Sequence, residues 1–135
     1  MSRHWLFKTE PGQYSYDKLA KEKKAVWDGV ANNLALKHLK EIRMGDEILI
    51  YHSGDEKAIV GLAEAISDPY PDPRENDEKL VVINIKPIRR LSNPLSLAQI
   101  KAVDELRDFD LVRLPRLSVM PVPEDYWNKL RDLMS

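Results

Sequence analysis

Two short stretches of the chain combine residue types that could hold a planar, polar ligand. Residues 27–32 read Trp-Asp-Gly-Val-Ala-Asn, and residues 51–53 read Tyr-His-Ser. An indole offers a flat face, and a glycine beside it lets a ligand approach the backbone closely. Amide, imidazole and hydroxyl groups can donate and accept hydrogen bonds along the edge of a heterocycle. Trp27, Gly29, Asn32, His52 and Ser53 therefore predict a binding pocket for one planar heterocycle.

Further polar candidates lie near the two ends of the chain. Lys8 and Glu10 share one face of a predicted strand, where Lys8 could bind a phosphate or carbonyl oxygen and Glu10 an exocyclic amine. An ion pair between these two side chains is the alternative. Arg116 suits phosphate recognition or stacking, and Ser118 can supply one directional hydrogen bond.

A catalytic site is not expected. His52 and Ser53 are adjacent in a predicted strand, so they point to opposite faces and cannot form a nucleophile–base hydrogen bond. The chain has no cysteine, and its three histidines lack the spacing of a zinc site. We expect no catalytic residue, no metal and no cofactor. A small nucleotide-directed hydrolase that uses His52 with an unidentified partner is the alternative, as is a purely structural His52.

The three tryptophans have different sequence contexts. Trp127 lies in a helical stripe with Tyr126, Leu130, Leu133 and Met134, which predicts a core residue. Trp5 alternates with Phe7 along a strand and is also expected in the core. Trp27 lies outside any periodic segment and is expected to form the pocket wall.

Composition indicates a single globular domain over residues 1–135. Apolar residues make up 43% of the chain and charged residues 32%, and the net charge is −1. A chain without cysteines and without a long apolar run is expected to be soluble and cytoplasmic, with no membrane partner. Basic residues are concentrated towards both ends and acidic ones in the middle, so a modest positive face is expected only if the ends meet.

The predicted elements place these residues on an α+β fold. Strands are expected at 5–10, 47–53, 58–66, 79–86 and 117–120, and helices after Ser15, after Asn32 or Asn33, at 96–106 and from about Pro123. Capping of a helix is the alternative role for Asn32. Gly61 predicts a bulge or a close approach, and the proline-rich residues 68–73 predict a surface loop. Dispersed strands with apolar residues on both faces favour a curved, mainly antiparallel β-barrel flanked by helices.

Several of these motifs, in this order, resemble the EVE domain, a member of the PUA-like superfamily. The resemblance is carried by residues 5–11, Tyr14-Ser15, residues 27–30, Asn32, Gly45-Asp46, residues 51–53, Val60-Gly61, residues 70–72 and residues 116–118. It implies a PUA-like barrel, related in fold to PUA and YTH domains, that reads a modified base in DNA or RNA without catalysis. The base would be flipped out or single-stranded. Lys8, Glu10, Trp27, Gly29, Val30, Asn32, Tyr51, His52, Ser53, Arg116 and Ser118 are the predicted ligand-binding residues. The family usually has arginine between the valine and the asparagine, where this chain has Ala31.

Overall fold

Seven strands form a curled mixed sheet, a half-barrel, in the computed structural model, which describes residues 4–134. The strands are β1 (His4–Thr9), β2 (Ala25–Trp27), β3 (Glu47–His52), β4 (Ala58–Ala65), β5 (Tyr70–Pro71), β6 (Val81–Ser96) and β7 (Val119–Pro121). Their order is β2-β6-β4-β3-β1-β7, and β5 pairs with β6. Only the β1–β3 pairing among these strands is parallel, so the predicted α+β fold with a curved, mainly antiparallel sheet is confirmed. The predicted single domain of residues 1–135 includes residues 1–3 and 135, which lie outside the described part.

Five helices pack around this sheet within residues 4–134, and all of them except the fourth begin where the sequence predicts. They are α1 (Tyr16–Glu22), α2 (Asn33–Glu41), α3 (Leu97–Lys101), α4 (Asp110–Arg113) and α5 (Glu124–Met134), with a 3₁₀ turn at Asp104–Leu106. The side chains of Ser15, Asn32 and Ser96 each accept a backbone N–H and cap α1, α2 and α3 respectively. No helix in this part of the chain has the length and apolar character needed to cross a membrane.

Several elements differ from the sequence-based expectation, among them α4, which was not predicted. Strand β6 continues through Pro87 and Pro94 to Ser96, because register shifts against β4 accommodate residues that cannot donate to the ladder. Its extension leaves only the short α3 and the 3₁₀ turn where one helix was expected. Strand β2 has three residues, too few to show a period, and the proline-rich connection contributes the two-residue β5.

The core contains two of the tryptophans in the way their periodicity predicts. Trp5 is buried and donates its indole N–H to the buried carboxylate of Asp46 at 3.0 Å. Trp127 is also buried, and its ring stacks on His4 with the ring centroids 4.0 Å apart. Leu133, expected in the same stripe as Trp127, is instead 38% exposed because α5 presents that position to solvent.

Gly61 allows close packing of a helix against the sheet. A Cβ atom at this position would lie 2.5 Å from the ring of Tyr16, the first residue of α1. The pairing of β3 with β4 also shifts register just before Gly61. Both alternatives predicted for Gly61, a bulge and a close approach, therefore meet at this point of β4.

Candidate functional site

A cavity of about 1350 Å³ lies beside strand β2. Its walls come from the end of β1 (residues 8–10), the turn before α1 (residues 13 and 14), residue 22, residues 24–32, Asn84 of β6 and Ser118. Ligand pockets in proteins typically have volumes of about 300–1,000 Å³. The cavity is therefore large enough for a nucleobase together with part of its sugar and phosphate.

Seven of the predicted ligand-binding residues line this cavity. They are Lys8, Glu10, Trp27, Gly29, Val30, Asn32 and Ser118. The sheet brings the distant ones together, because β1 pairs with β7 and the Lys8 N–H donates to the Ser118 carbonyl at 2.9 Å. The two ends of the sequence thus meet at one side of the cavity.

Trp27 forms part of the cavity wall and part of the core. Only 9% of the residue is exposed. Its ring lies 5.1 Å from that of Phe7, tilted by 37°, and 5.9 Å from that of Tyr14 in an edge-on arrangement. The sequence context suggested a residue outside the core, whereas the end of β2 directs this indole onto Phe7. A ligand would contact the remaining edge of an indole that its neighbours hold in place.

The turn after Trp27 shapes the next part of the wall. Gly29 has a φ of 76°, which favours glycine and leads the chain from β2 towards α2. Asn32 then caps α2, since its Oδ1 accepts from the Ala35 N–H at 3.0 Å. The capping bond identifies the oxygen of the amide, so the Nδ2 N–H groups of Asn32 can donate to a ligand. Capping and ligand binding are compatible roles for this side chain.

Lys8 and Glu10 are held separately at the end of β1. The Lys8 ammonium donates to the Pro115 carbonyl at 2.6 Å, and burial lowers its pKa. The Glu10 carboxylate accepts from the Gly12 N–H at 3.0 Å. It also lies against Gly54, where any larger residue would meet it. No ion pair joins Lys8 to Glu10 within residues 4–134, so the alternative of mutual pairing is not what the structure contains.

Four predicted residues lie outside the cavity wall, and two of them, Tyr51 and Ser53, contact residues that form it. Tyr51 is buried beneath Lys8, whose Nζ lies 5.7 Å from the centre of the phenol ring. The Ser53 N–H donates to the Thr9 carbonyl at 2.9 Å and fixes the end of β1. Arg116 is exposed and follows directly after Pro115, the residue to which Lys8 binds.

His52 has the structural role that the sequence left open. It is 3% exposed, and its Nε2 accepts from the Tyr16 N–H at 3.0 Å. That bond places the ring proton on Nδ1, which donates to Glu56 at 2.7 Å. Nε2 therefore fixes the start of α1 against β3, while Nδ1 binds the turn between β3 and β4. No group of three or more His, Asp or Glu side chains between residues 4 and 134 is arranged to hold a metal ion.

Sequence reasoning missed several wall residues on the α1 side. Tyr14 donates its hydroxyl to Glu22 at 2.7 Å, and burial together with this carboxylate raises the pKa of the phenol. Asp28 is bound by Arg74, which also binds Asp72. The hydrogen bonds from Arg74 lower the pKa of the Asp72 carboxyl. Tyr14 and Asp28 could have been found, because both belong to the motifs that resemble the EVE pattern.

The cavity has a mixed charge. Its lining carries the carboxylates of Glu10, Glu22 and Asp28 and the ammonium groups of Lys8 and Lys24. Arg116 is an exposed cation that follows Pro115 in the chain, outside the cavity lining. Such a surface suits a polar ligand held by directional bonds rather than long-range attraction to a polyanion.

The family follows from comparison with known proteins. The model of the EVE domain matches residues 3–133. The chain belongs to the EVE domain family. The protein Rpa0253 from Rhodopseudomonas palustris, whose structure was determined by NMR, is 37% identical, with a TM-score of 0.92 and a coverage of 98% of this chain and 92% of that one.

Two comparisons involve a human relative of this EVE domain. Human thymocyte nuclear protein 1 is 26% identical over 93% of this chain and 71% of its own length. A crystal structure of human THYN1 in complex with DNA containing 5-methylcytosine, also 26% identical, has a TM-score of 0.90 and covers 99% of this chain and 98% of that one. Recognition of the chain as an EVE domain of PUA-like fold is thereby confirmed.

Proposed function

We propose that this EVE domain binds a modified nucleobase of DNA in the cavity beside β2. The observation that carries the proposal is the cavity itself, in which an aromatic wall at Trp27 and Tyr14 stands beside directional polar groups. The crystal structure of human THYN1 with DNA containing 5-methylcytosine supports the same ligand class. A 5-methylcytosine base is accordingly the first ligand to test.

The polar groups around the cavity would hold such a base by its edge. Asn32 offers N–H donors, Glu10 offers a carboxylate acceptor, and Ser118 has a hydroxyl that can do either. Contact of a base with an aromatic ring contributes about 1–3 kcal/mol and favours no particular base. Selectivity for the base therefore comes from the polar groups rather than from Trp27.

The corner formed by Lys8 and Arg116 would hold a phosphate next to the base. Lys8 is fixed by Pro115, and the exposed guanidinium of Arg116 follows in the chain. Since few cations surround the cavity, we expect weak binding to unmodified nucleic acid. A plot of the logarithm of the binding constant against the logarithm of the salt concentration should have a shallow slope, since each phosphate neutralised contributes about 0.7–0.9 to it.

A base that enters this cavity must first leave its stack. That step costs a few kcal/mol in a duplex and least at single-stranded or mismatched sites. Single-stranded or mismatched DNA should therefore bind more tightly than a perfect duplex with the same modification. Measuring the affinity for RNA with the same modified base and comparing it with that for DNA tests whether the protein prefers ribose or deoxyribose.

The competing function, a hydrolase that uses His52, has little support. His52 is buried, both of its ring nitrogens are bound, and the residue is not part of the cavity wall. Incubation of the protein with modified nucleosides, nucleotides and oligonucleotides, followed by mass spectrometry, should give no product. Turnover that His52→Ala abolishes would favour the hydrolase.

The decisive experiment is calorimetric titration with short single-stranded oligonucleotides that carry cytosine or 5-methylcytosine at one position. Trp27→Phe should weaken binding of the modified oligonucleotide. The matched control is Trp127→Phe, since Trp127 is also 9% exposed but lies outside the cavity wall. Equal affinity for both oligonucleotides in the wild type, or equal losses in the two variants, would contradict the proposal.

A further inference from the structure

We infer that the backbone N–H and C=O of Val26 bind the hydrogen-bonding edge of the base. The inference rests on the proposed function and names the groups that select the base. Val26 is the middle residue of β2, and β2 is the last strand of the sheet path. One edge of β2 is therefore not paired with another strand, and edge strands carry unpaired backbone groups.

The pattern of hydrogen bonds shows which groups lie on that free edge. Val26 stands opposite Asn84 in the antiparallel pairing of β2 with β6. The Asn84 N–H donates to the Ser67 hydroxyl at 3.0 Å, and its C=O accepts from the Ile66 N–H at 2.8 Å. Both backbone groups of Asn84 thus point away from β2.

In an antiparallel ladder the two residues of such a non-hydrogen-bonded pair direct their N–H and C=O groups away from each other. Val26 therefore directs both groups away from β6, on the free edge of β2. Outside the ladder, no backbone hydrogen bond of Val26 is present within residues 4–134. The neighbouring residues Ala25 and Trp27 form the hydrogen-bonded pairs with β6.

The free edge of β2 belongs to the cavity wall. Residues 24–32 line the cavity without interruption, and they include all three residues of β2. Side chains of successive strand residues point to opposite faces of a sheet. Because all three consecutive residues of β2 line the cavity, what they have in common on the cavity side is the edge of the strand. Trp27 pairs with the buried Ile83 and packs on Phe7, while Val26 is 50% exposed on the other face.

An N–H and a C=O on one residue form a donor–acceptor pair that matches part of a base edge. Cytosine and 5-methylcytosine present the N3 acceptor beside the N4 amine donor. The Val26 N–H would donate to N3, and the amine would donate to the Val26 carbonyl. Thymine presents an N3–H donor beside the O4 acceptor. Its N3–H would face the Val26 N–H and its O4 would face the Val26 carbonyl, so neither hydrogen bond would form. Because the glycosidic bond fixes how the base enters, Val26 selects 5-methylcytosine over thymine.

Val26→Pro is the direct test, because proline lacks the N–H. Proline is tolerated on an edge strand when the missing N–H faces away from the ladder, as it does here. Val26→Ala is the matched control, since it removes most of the side chain and keeps both backbone groups. Binding of a single-stranded oligonucleotide with one 5-methylcytosine should weaken by about ten- to a hundredfold in Val26→Pro. Val26→Ala measures the effect of losing the side chain alone, so Val26→Pro should bind the same oligonucleotide more weakly than Val26→Ala does, and both variants should keep the wild-type amide spectrum outside β2.

An NMR measurement on the wild-type protein tests whether the Val26 backbone binds the base, even if Val26→Pro fails to fold. In ¹H–¹⁵N spectra, the Val26 amide should shift downfield and exchange more slowly when the 5-methylcytosine oligonucleotide is added. The same oligonucleotide with thymine at that position should bind more weakly and leave this amide unshifted. A folded Val26→Pro that binds like Val26→Ala, or a Val26 amide that stays unchanged while other cavity amides respond, would overturn the assignment but not the proposed function. Failure of the wild type to bind any modified oligonucleotide would overturn both.

Discussion

Replacing Gly61 by alanine tests how helix α1 is fixed against the sheet. An alanine Cβ would lie 2.5, 2.6 and 2.8 Å from three atoms of the Tyr16 ring, where ordinary contact begins at 3.4 Å. The ring or strand β4 must therefore move by about 1 Å. Tyr16 is 1% exposed, and its hydroxyl donates to the Leu62 carbonyl at 2.6 Å, so the ring has no open space to enter without breaking that bond.

The magnitude follows from these two effects. Excess volume in a packed core costs about 1–3 kcal/mol. A buried carbonyl that loses its partner costs about 1–3 kcal/mol more. We expect Gly61→Ala to lower the free energy of unfolding by about 2–5 kcal/mol, measured by urea unfolding at constant pH.

A double-mutant cycle with Tyr16→Leu separates this contact from a general effect of alanine in β4. Leucine at position 16 removes the ring atoms that the new Cβ would meet, so Gly61→Ala should cost much less in that background. The interaction free energy should be about 1–3 kcal/mol, as for residues in direct contact. Additive losses, within about 0.5 kcal/mol, would refute the packing argument.

Three further predictions concern the cavity rim, the core and the response to pH. Ala31→Arg adds a cation to the rim, and titration at several salt concentrations should show tighter oligonucleotide binding with a steeper salt dependence; an unchanged slope would place position 31 away from the phosphates. Trp127→Ala removes a buried ring stacked on His4 and should destabilise the protein by about 3–5 kcal/mol, whereas an unfolding midpoint like that of the wild type would contradict this packing. Arg74 lowers the pKa of Asp72 below its ordinary value of 3.8, so this stabilisation is present above that value and is lost as the pH falls through the lowered pKa. Asp72→Asn should flatten the acid limb of the stability–pH curve, and identical curves for the two proteins would refute that role.

Local sequence signals located most elements and several of the residues that position the cavity. Ser15 and Asn32 cap their helices because a short polar side chain before a helix can satisfy its first N–H groups without help from the rest of the fold. The strand period of Trp5 and Phe7 and the helical stripe of Trp127 depend only on neighbouring residues, so their burial could be predicted. The strand pattern, the chemistry of the residues and the motifs shared with the EVE domain together predicted the fold class and seven residues of the cavity wall.

The tertiary structure alone decided which face each remaining residue presents and what it binds. His52 and Tyr51 are among the predicted ligand-binding residues, but the pairing of β3 with β1 and the packing of α1 place them behind the cavity wall. Strand β2 is too short for a hydrophobic period, so its position at the sheet edge depends on its pairing with β6, more than fifty residues away along the chain. The free backbone groups of Val26 follow from that pairing and from the hydrogen bonds of Asn84. Such long-range pairing cannot be predicted from the local sequence, because every residue except proline has the same backbone donor and acceptor, and only the sheet determines which of them remain unpaired.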